Sequence, residues 1–265
     1  SGVGVAELRR YFRSRVTAKG GLLILVGDLR PAKALDAVEA ALGSWTGAPG
    51  ASRLPALPAV EPGPILLVDR PGAAQSNIRI GGPALTRRDP GLPALQLANM
   101  IFGGYFSSRL VENIRENKGY TYSPRSWIDH HPLGSMLTII ADVGTDVTAP
   151  ALLETRYELG RIATLPVSTE ELDSARRYLI GTTALSTQTQ SGLAEYLLAL
   201  SMAGLGLDYL RDLPKRLEKV TVGDVLDAAA EYLAPARLPT VIVGDAGVVR
   251  PSLEALDAVE DGAAP

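Results

Sequence analysis

Residues 120–143 decide the fold, and they read Tyr120-Thr-Tyr-Ser-Pro-Arg-Ser-Trp-Ile-Asp-His-His-Pro-Leu-Gly-Ser-Met-Leu-Thr-Ile-Ile-Ala-Asp-Val143. The pattern predicts two strands, Tyr120 to Ile128 and Ser135 to Val143, joined by a turn that contains Pro132 and Gly134. A short helix from Ser107 to Lys118 is expected just before them. Gly119 ends that helix, because glycine suits the left-handed backbone past a helix end.

The elements around this stretch indicate the fold class. Upstream, the pattern predicts strands at Ile65 to Val68 and Asn77 to Gly81 and a helix at Leu92 to Phe102. Downstream, four helical stretches follow, at about Thr148 to Thr164, Thr169 to Gln188, Leu193 to Ala203 and Leu207 to Leu217. Strands with helices and then a run of helices favour an α+β fold over strict βαβ alternation.

Composition excludes several classes of function. The 265 residues carry 26 Lys and Arg against 29 Asp and Glu, a net charge of −3, and no cysteine. The absence of cysteine from the sequence excludes a disulfide scaffold, a zinc ribbon and a cysteine nucleophile. Without a basic run or a long apolar run, we expect no nucleic-acid partner and no membrane partner. We expect a cytoplasmic protein. Because the chain starts at Ser1 and not at a methionine, we also expect its natural N-terminus to lie elsewhere.

A Pro- and Gly-rich stretch and an internal repeat suggest how the chain is organised. Residues 47–64 are typical of a linker. Residues 3–28, predicted as a helix followed by a strand at Leu22 to Val26, align without a gap onto residues 220–245, which lie 217 positions later. The alternative is chance recurrence of a helix, a strand and Gly-Asp. If the repeat is real, the parent protein contains this unit twice.

The repeat leads to four expected segments. Residues 1–46 would be the C-terminal tail of a preceding homologous unit, and 47–64 the linker. Residues 65–255 would form one complete domain. Residues 256–265 would be a disordered tail.

No metal site is predicted in this chain. Its two histidines, His130 and His131, are adjacent, and adjacent side chains of a strand point to opposite faces. No His-x-x-Glu-His or His-Glu-x-x-His motif places ligands one helical turn apart. We therefore interpret the histidines as a surface pair beside a turn. No Gly-x-Ser-x-Gly motif supports a serine nucleophile either.

The segment Phe102-Gly-Gly-Tyr-Phe-Ser-Ser-Arg-Leu110 has two interpretations. Two glycines before a helix could hold an anion at the helix N-terminus. No Walker Lys-Ser/Thr pair follows them, however, and a helical stretch replaces the strand that should precede a dinucleotide site. We favour a corner between two helices with Ser107 as the N-cap.

Arg115, Tyr120 and Tyr122 are the candidate site residues. Arg115 lies near the end of the short helix and off its apolar stripe, and the two tyrosines share one face of the next predicted strand. Guanidinium and phenol groups are both hydrogen-bond donors, which suits peptide carbonyls or a developing oxyanion. The alternative is structural: Arg115 would complement the helix dipole, and the tyrosines would pack on a sheet.

Several motifs resemble the C-terminal half of the M16 (pitrilysin/insulinase) zinc metallopeptidases. They are Phe102 to Leu110, Arg115-Glu-Asn-Lys-Gly119, Tyr122-Ser123, Gln75-Ser-Asn-Ile-Arg-Ile-Gly81 with Asp89-Pro90, and Val26-Gly27-Asp28 with Gly43-Ser44-Trp45. The resemblance, of the LuxS/MPP-like metallohydrolase type, covers nearly the whole chain. It implies a mostly antiparallel sheet covered on one face by helices.

The resemblance also implies a function. This chain would be the substrate-binding, zinc-free half of an M16-like metalloendopeptidase, inactive alone, with zinc in a missing or partner half. Arg115 would bind the backbone of an unfolded peptide, and Tyr122 would bind it and act in catalysis. The partner would be a His-x-x-Glu-His half in cis or in trans, in a homodimer or a heterodimer. The alternative is a non-catalytic partner or scaffold subunit of an M16-type complex.

Overall fold

A computed structural model describes residues 2–48 and 61–263. The chain divides into two compact units. The smaller unit consists of the described part of residues 1–56 together with 183–207, and the larger one consists of the described parts of residues 57–182 and 208–265. The candidate site residues all lie in the larger unit.

The larger unit is built on a six-stranded sheet. Its strands are β1 Ile65–Asp69, β2 Gln75–Ala84, β3 Arg125–His131, β4 Gly134–Gly144, β5 Thr240–Gly244 and β6 Val259–Asp261. They lie in the order β3-β4-β2-β5-β1-β6. The pairs β3–β4, β4–β2 and β2–β5 are antiparallel, and β5–β1 and β1–β6 are parallel. The sheet is thus mostly antiparallel, which confirms the predicted α+β class.

One face of the sheet forms the core. Ile78 of β2 lies opposite Ala141 of β4, and Ile80 lies opposite Ile139. All four of these side chains are buried. Their neighbours Asn77 and Arg79 point to the other face, which is only half-buried, because successive side chains of a strand alternate.

Helices cover the buried face. They are α3 Leu92–Asn99, α4 Arg109–Val111, α5 Thr148–Thr164, α6 Thr169–Thr187, α8 Leu207–Glu218, α9 Val222–Tyr232 and α10 Ala246–Glu254. Helix α9 packs against both α3 and α5, and α5 in turn contacts β2 and β4. Short π-helical turns at Met100–Gly104 and Glu112–Asn117 extend α3 and α4. Single 3-10 turns lie at Thr145–Val147 and Pro235–Arg237.

The smaller unit contains α1 Val5–Arg15, α2 Pro31–Leu42 and α7 Gln190–Met202. Neither α1 nor α2 buries any residue. The predicted strand at Leu22 to Val26 is wrong for this structure, because none of its residues joins a β-ladder. A strand is defined by its hydrogen-bonded neighbour, and the described part of the chain offers these residues none.

Two further expectations about the larger unit need correction. The predicted strand at Tyr120 to Ile128 begins only at Arg125, directly after Pro124, whose ring nitrogen cannot donate to a ladder. The expected disordered tail at 256–265 contains β6, which pairs with β1 at the edge of the sheet. Of the predicted linker 47–64, residues 49–60 lie outside the described part of the chain.

The structure has a helix at the corresponding positions of both repeated segments. α1 runs from Val5 to Arg15 and α9 from Val222 to Tyr232, so the two helices begin and end 217 positions apart. The duplication stays a prediction, because only the second copy continues into a strand.

Within the described residues, no single helix is long and apolar enough to cross a membrane, and only α7 and α8 taken together pass that test.

Candidate functional site

Arg115 is presented by a helix whose apolar side is fully packed. α4 continues into the π-helical turn Glu112–Asn117, and Leu110, Val111 and Ile114 are buried. This confirms the predicted apolar stripe and leaves Arg115 partly exposed. π-Helical turns are rare and occur frequently at functional sites.

Two polar anchors hold this helix in place. Arg109 forms a two-point ion pair with Glu171, with Nε to Oε1 at 2.7 Å and Nη2 to Oε2 at 2.9 Å. Hydrogen bonds from Arg109 lower the pKa of Glu171 to about 2, against the opposing effect of burial. On another side of the helix, Asn113 Nδ2 donates to Glu154 and Glu158 at 3.0 and 2.9 Å. The backbone carrying Arg115 is therefore fixed against α5 and α6.

Gly119 sets the turn between Arg115 and the tyrosines. Its φ of +67° is left-handed, as predicted. Its N–H donates to the Arg115 carbonyl at 3.0 Å, and the Tyr120 N–H donates to the Ile114 carbonyl at 2.9 Å. After this turn Tyr120 packs against the core, whereas Tyr122 is 80% exposed. Tyr122 is therefore the more exposed of the two tyrosines.

The Arg115 guanidinium makes cation–π contacts with two aromatic rings. Its guanidinium carbon is 4.7 Å from the centroid of the Tyr122 ring and 4.7 Å from that of the Phe106 ring. Its Nε is 3.1 Å from a carboxylate oxygen of Glu116. Within the described residues, the Tyr122 hydroxyl makes no hydrogen bond, whereas the Arg115 side chain is ion-paired through Nε. The sequence analysis did not single out Phe106. The available signal was a large apolar side chain next to the polar Ser107 and Ser108, inside the Phe102 to Leu110 motif.

Arg115 and Tyr122 line one open cavity of about 630 Å³. The rest of its wall includes Gln75, Glu116, Tyr120, Thr121 and Asp142. Phe106 instead lines a smaller cavity of about 260 Å³, which shares Arg115 and Tyr122 with the first. The two candidate residues, together with Ser123, thus form the wall common to both cavities.

Asp142 is held in place on the larger cavity's wall. Its Oδ1 accepts hydrogen bonds from Asn77 Nδ2 and Arg79 Nη1, each at 2.8 Å. Burial alone would raise its pKa, but these hydrogen bonds outweigh burial and hold the pKa below its ordinary value. Asp142 is therefore an ionised and already partnered carboxylate, which suits structure better than proton transfer.

The Gly103-Gly104 segment is a site of close packing. A Cβ on Gly103 would lie 3.0 Å from Ser126 Cβ and 3.2 Å from a Leu110 methyl carbon. The prediction of Ser107 as N-cap is wrong: α4 starts at Arg109, so Ser108 is the N-cap, and its side chain makes no capping hydrogen bond. These contacts support the corner between helices rather than an anion site.

The histidines do not form a metal site. His131 is exposed, while His130 is half-buried, with Nδ1 2.7 Å from Ser135 Oγ. Burial, and then the charge of Arg87, lower the pKa of His130 to about 4, so it is neutral at pH 7. The expectation of a surface pair therefore holds for His131 only. Across residues 2–48 and 61–263, no group of three or more His, Cys, Asp or Glu side chains could hold a metal ion.

Comparison with known proteins gives the class. The family model described as "Peptidase M16 inactive domain" matches residues 3–179, which include Arg115 and Tyr122. The chain belongs to this family, and the resemblance found in the sequence is confirmed. An inactive domain whose described residues contain no metal cluster fits a protease that holds its zinc in another half.

Individual relatives agree with this class. An uncharacterized zinc protease of Streptomyces coelicolor is 24% identical over 89% of this chain and 52% of its own length. The crystal structure of a peptidase M16 inactive domain from Pseudomonas fluorescens has a TM-score of 0.81 at 24% identity, over 92% of this chain and 58% of that one. A protease from Helicobacter pylori has a TM-score of 0.81 at 17% identity, covering 92% and 59%. The chain thus spans about half the length of the Streptomyces relative.

Proposed function

We propose that this chain is the peptide-gripping, zinc-free half of an M16-type metallopeptidase, and that Arg115 and Tyr122 are its gripping residues. The observation that carries the proposal is that two side chains with donor groups share the wall of one open cavity. The Tyr122 hydroxyl has no hydrogen-bond partner in the described part of the chain, and Arg115 uses only Nε in its ion pair with Glu116. A structural tyrosine normally has its hydroxyl hydrogen-bonded or its ring covered. The exposed Tyr122 ring does not fit the structural alternative, since it packs on no sheet.

The chemistry of Arg115 suits a neutral acceptor. The guanidinium is paired with Glu116, so the two side chains together carry little net charge. A backbone carbonyl needs donors rather than charge, and a planar guanidinium offers several donors in a fixed arrangement. Arg115 would therefore hold a peptide by its backbone with little dependence on its side chains, as an unfolded substrate requires.

Tyr122 would act on the bond that is cut. Its hydroxyl would donate to the scissile carbonyl oxygen, and this hydrogen bond would strengthen as the oxygen gains negative charge. The zinc that activates the attacking water would belong to a His-x-x-Glu-His half, supplied in cis or in trans. This chain's own contribution is to align the peptide and stabilise the oxyanion.

Tyr122→Phe tests the catalytic role. In the complete protease, or in this chain mixed with its catalytic half, we expect hydrolysis of a fluorescence-quenched, unstructured peptide to fall on the order of 100-fold. Zinc content and melting temperature should not change. The matched control is Tyr157→Phe, which alters another exposed tyrosine, on α5 and outside both cavities, and should leave the rate unchanged.

Arg115→Ala tests the gripping role. It should lower kcat/KM for the same peptide, and its effect should overlap with that of Tyr122→Phe because both residues act on one substrate. Arg211→Ala, at a solvent-exposed arginine of α8, is the control. If both site variants retain full activity, the site assignment is wrong, and the role of a non-catalytic partner or scaffold subunit becomes the better account.

A further inference from the structure

We infer that Phe106 is a positioning residue for this site: together with Tyr122 it clamps the guanidinium of Arg115 and sets the direction of its free N–H groups. The inference rests on the proposed function of Arg115. It assigns a role to a side chain that sequence reasoning passed over.

The first observation is that Phe106 is exposed at a cost. Its side chain is 60% exposed, and it is not part of the buried core. A large aromatic side chain left mostly in water forgoes part of the free energy that its burial would contribute. The position of its ring, 4.7 Å from the Arg115 guanidinium, gives this exposed side chain a specific contact.

The second observation is that the guanidinium contacts two aromatic rings at the same distance. Arg115 has an aromatic centroid at the same 4.7 Å distance in Phe106 and in Tyr122. The N–H donors of a guanidinium lie in its plane, and aromatic rings attract the cation through their faces. With Nε next to Glu116, the groups left for a ligand are Nη1 and Nη2. A clamped guanidinium therefore loses less side-chain entropy when it binds a carbonyl.

The third observation is that the segment carrying Phe106 is itself held in place. The adjacent Tyr105 ring packs against Tyr178 of α6 with centroids 4.9 Å apart. The Tyr105 carbonyl accepts a hydrogen bond from the Ser108 N–H at 3.2 Å. On the other side, Gly103 fits closely against Ser126. Phe106 is thus carried between two fixed points, which is what a positioning residue requires.

The functional test compares Phe106→Leu with Phe106→Tyr. Leucine keeps an apolar side chain but has no aromatic face, whereas tyrosine keeps the face. In the complete protease with the fluorescence-quenched peptide, we expect Phe106→Leu to lower kcat/KM about 3- to 10-fold, mainly through KM, and Phe106→Tyr to stay within about twofold of wild type.

A double-mutant cycle tests whether the ring acts through Arg115. In the Arg115→Ala background, Phe106→Leu should cause no further loss, because the group it positions has been removed. An equal loss in both backgrounds would overturn the inference. So would unchanged activity of Phe106→Leu in a protease that is impaired by Arg115→Ala, and in that case the proposed function would stand.

A measurement without activity separates the two proposals. In NMR spectra of this chain alone, the Hδ and Hε signals of Arg115 should be shifted upfield by the two rings. Phe106→Leu should reverse about half of this shift, and Phe106→Tyr should preserve it. A shift that persists in Phe106→Leu would overturn the clamp, whatever peptide hydrolysis shows. A shift lost in Phe106→Leu, with activity indifferent to Arg115→Ala, would retain the clamp and reject the proposed function.

Discussion

Helices α1 and α9 occupy corresponding positions of the two repeated segments, but they differ in burial and in the elements that pack against them. α1 and α9 begin and end 217 positions apart. Val225 of α9 is 0% exposed, whereas its counterpart Leu8 in α1 is 57% exposed. α9 packs between α3 and α5, while α1 buries no residue at all. Similar local patterns therefore give similar helices and very different burial.

The segments after these helices differ in the same way. Thr240–Gly244 is β5, paired with β2 on one side and β1 on the other. Its counterpart at residues 23–27 joins no ladder. A helix satisfies its backbone hydrogen bonds internally, whereas a strand needs neighbours. The comparison teaches that a similar local pattern is enough to form a helix, whereas a strand forms only where neighbouring strands are present to pair with it.

The largest expected difference is between Val225→Asp and Leu8→Asp. A charge at the fully buried Val225 has no partner, so we expect a loss of about 4 kcal/mol or more in the free energy of unfolding. Leu8→Asp should change it by less than about 0.5 kcal/mol. Urea unfolding measures each variant in its own unit. Trp127 fluorescence, in a Trp45→Phe background, follows Val225→Asp in the larger unit. Trp45 fluorescence, in a Trp127→Phe background, follows Leu8→Asp in the smaller unit.

The same pair of variants can test the duplication. In a longer protein where a preceding unit covers α1, Leu8→Asp should become as damaging as Val225→Asp. If Leu8→Asp is harmless there too, α1 is not the counterpart of α9 and the repeat is a coincidence of pattern. A large effect of Leu8→Asp in this chain alone would contradict the exposed position of Leu8.

The strands give the next largest contrast. Ile242 of β5 is fully buried, whereas its counterpart Leu25 is exposed. Ile242→Ala should cost about 3 kcal/mol, from lost burial and the cavity it leaves. Leu25→Ala should cost less than about 0.5 kcal/mol. An Ile242→Ala midpoint in urea equal to that of wild type would show that β5 is not part of the cooperative core.

The smallest contrast concerns the helix N-termini. In α9 the Thr221 hydroxyl accepts from the Asp224 N–H at 3.2 Å, and the Thr221 N–H donates to Asp224 Oδ2 at 2.8 Å. In α1 the N-cap is Gly4, so only the bond from its N–H to Glu7, at 3.1 Å, is made. Thr221→Ala should cost about 1 kcal/mol, and Gly4→Ala no more than a few tenths.

The cost of Thr221→Ala should depend on pH. Hydrogen bonds from the backbone and side chain of Thr221 hold the pKa of Asp224 below its ordinary 3.8. A carboxyl with a lowered folded-state pKa stabilises the fold above its unfolded pKa, and this contribution is lost as the pH falls through the folded value. The difference in unfolding midpoint between wild type and Thr221→Ala should therefore be larger at pH 7 than at pH 2. A difference that is constant with pH would show that Asp224 does not take part in the cap.

Much of the fold could be predicted from local pattern. The helix at Thr148–Thr164 was predicted to the residue, and β4 to within one residue at each end. The errors lie where pairing partners decide. Residues 120–124 have strand-like composition but stay outside the ladder, and β6 exists only because β1 offers it an edge. Neither fact is encoded within a few residues of the chain.

For the candidate site, too, local spacing predicted some features and tertiary contacts decided the others. Spacing alone placed Arg115 and Tyr122 on two sides of one turn, and Gly119 supplied the reason. Spacing could not choose between Tyr120 and Tyr122, because the choice depends on which ring packs against the core. It also passed over Phe106, which lies nine positions before Arg115 and meets it only after the chain has turned at Ser108.

The sequence by itself determined the helices, the glycine turn, the family and the absence of cysteine and of a His-x-x-Glu-His motif, because these depend on residue type and on contacts within a few positions. Only the tertiary structure decided which strands pair, which copy of the repeated pattern is buried, and which aromatic rings enclose Arg115. These depend on contacts between residues far apart in the chain. Burial and strand pairing are properties of neighbours in space, and local sequence does not specify those neighbours.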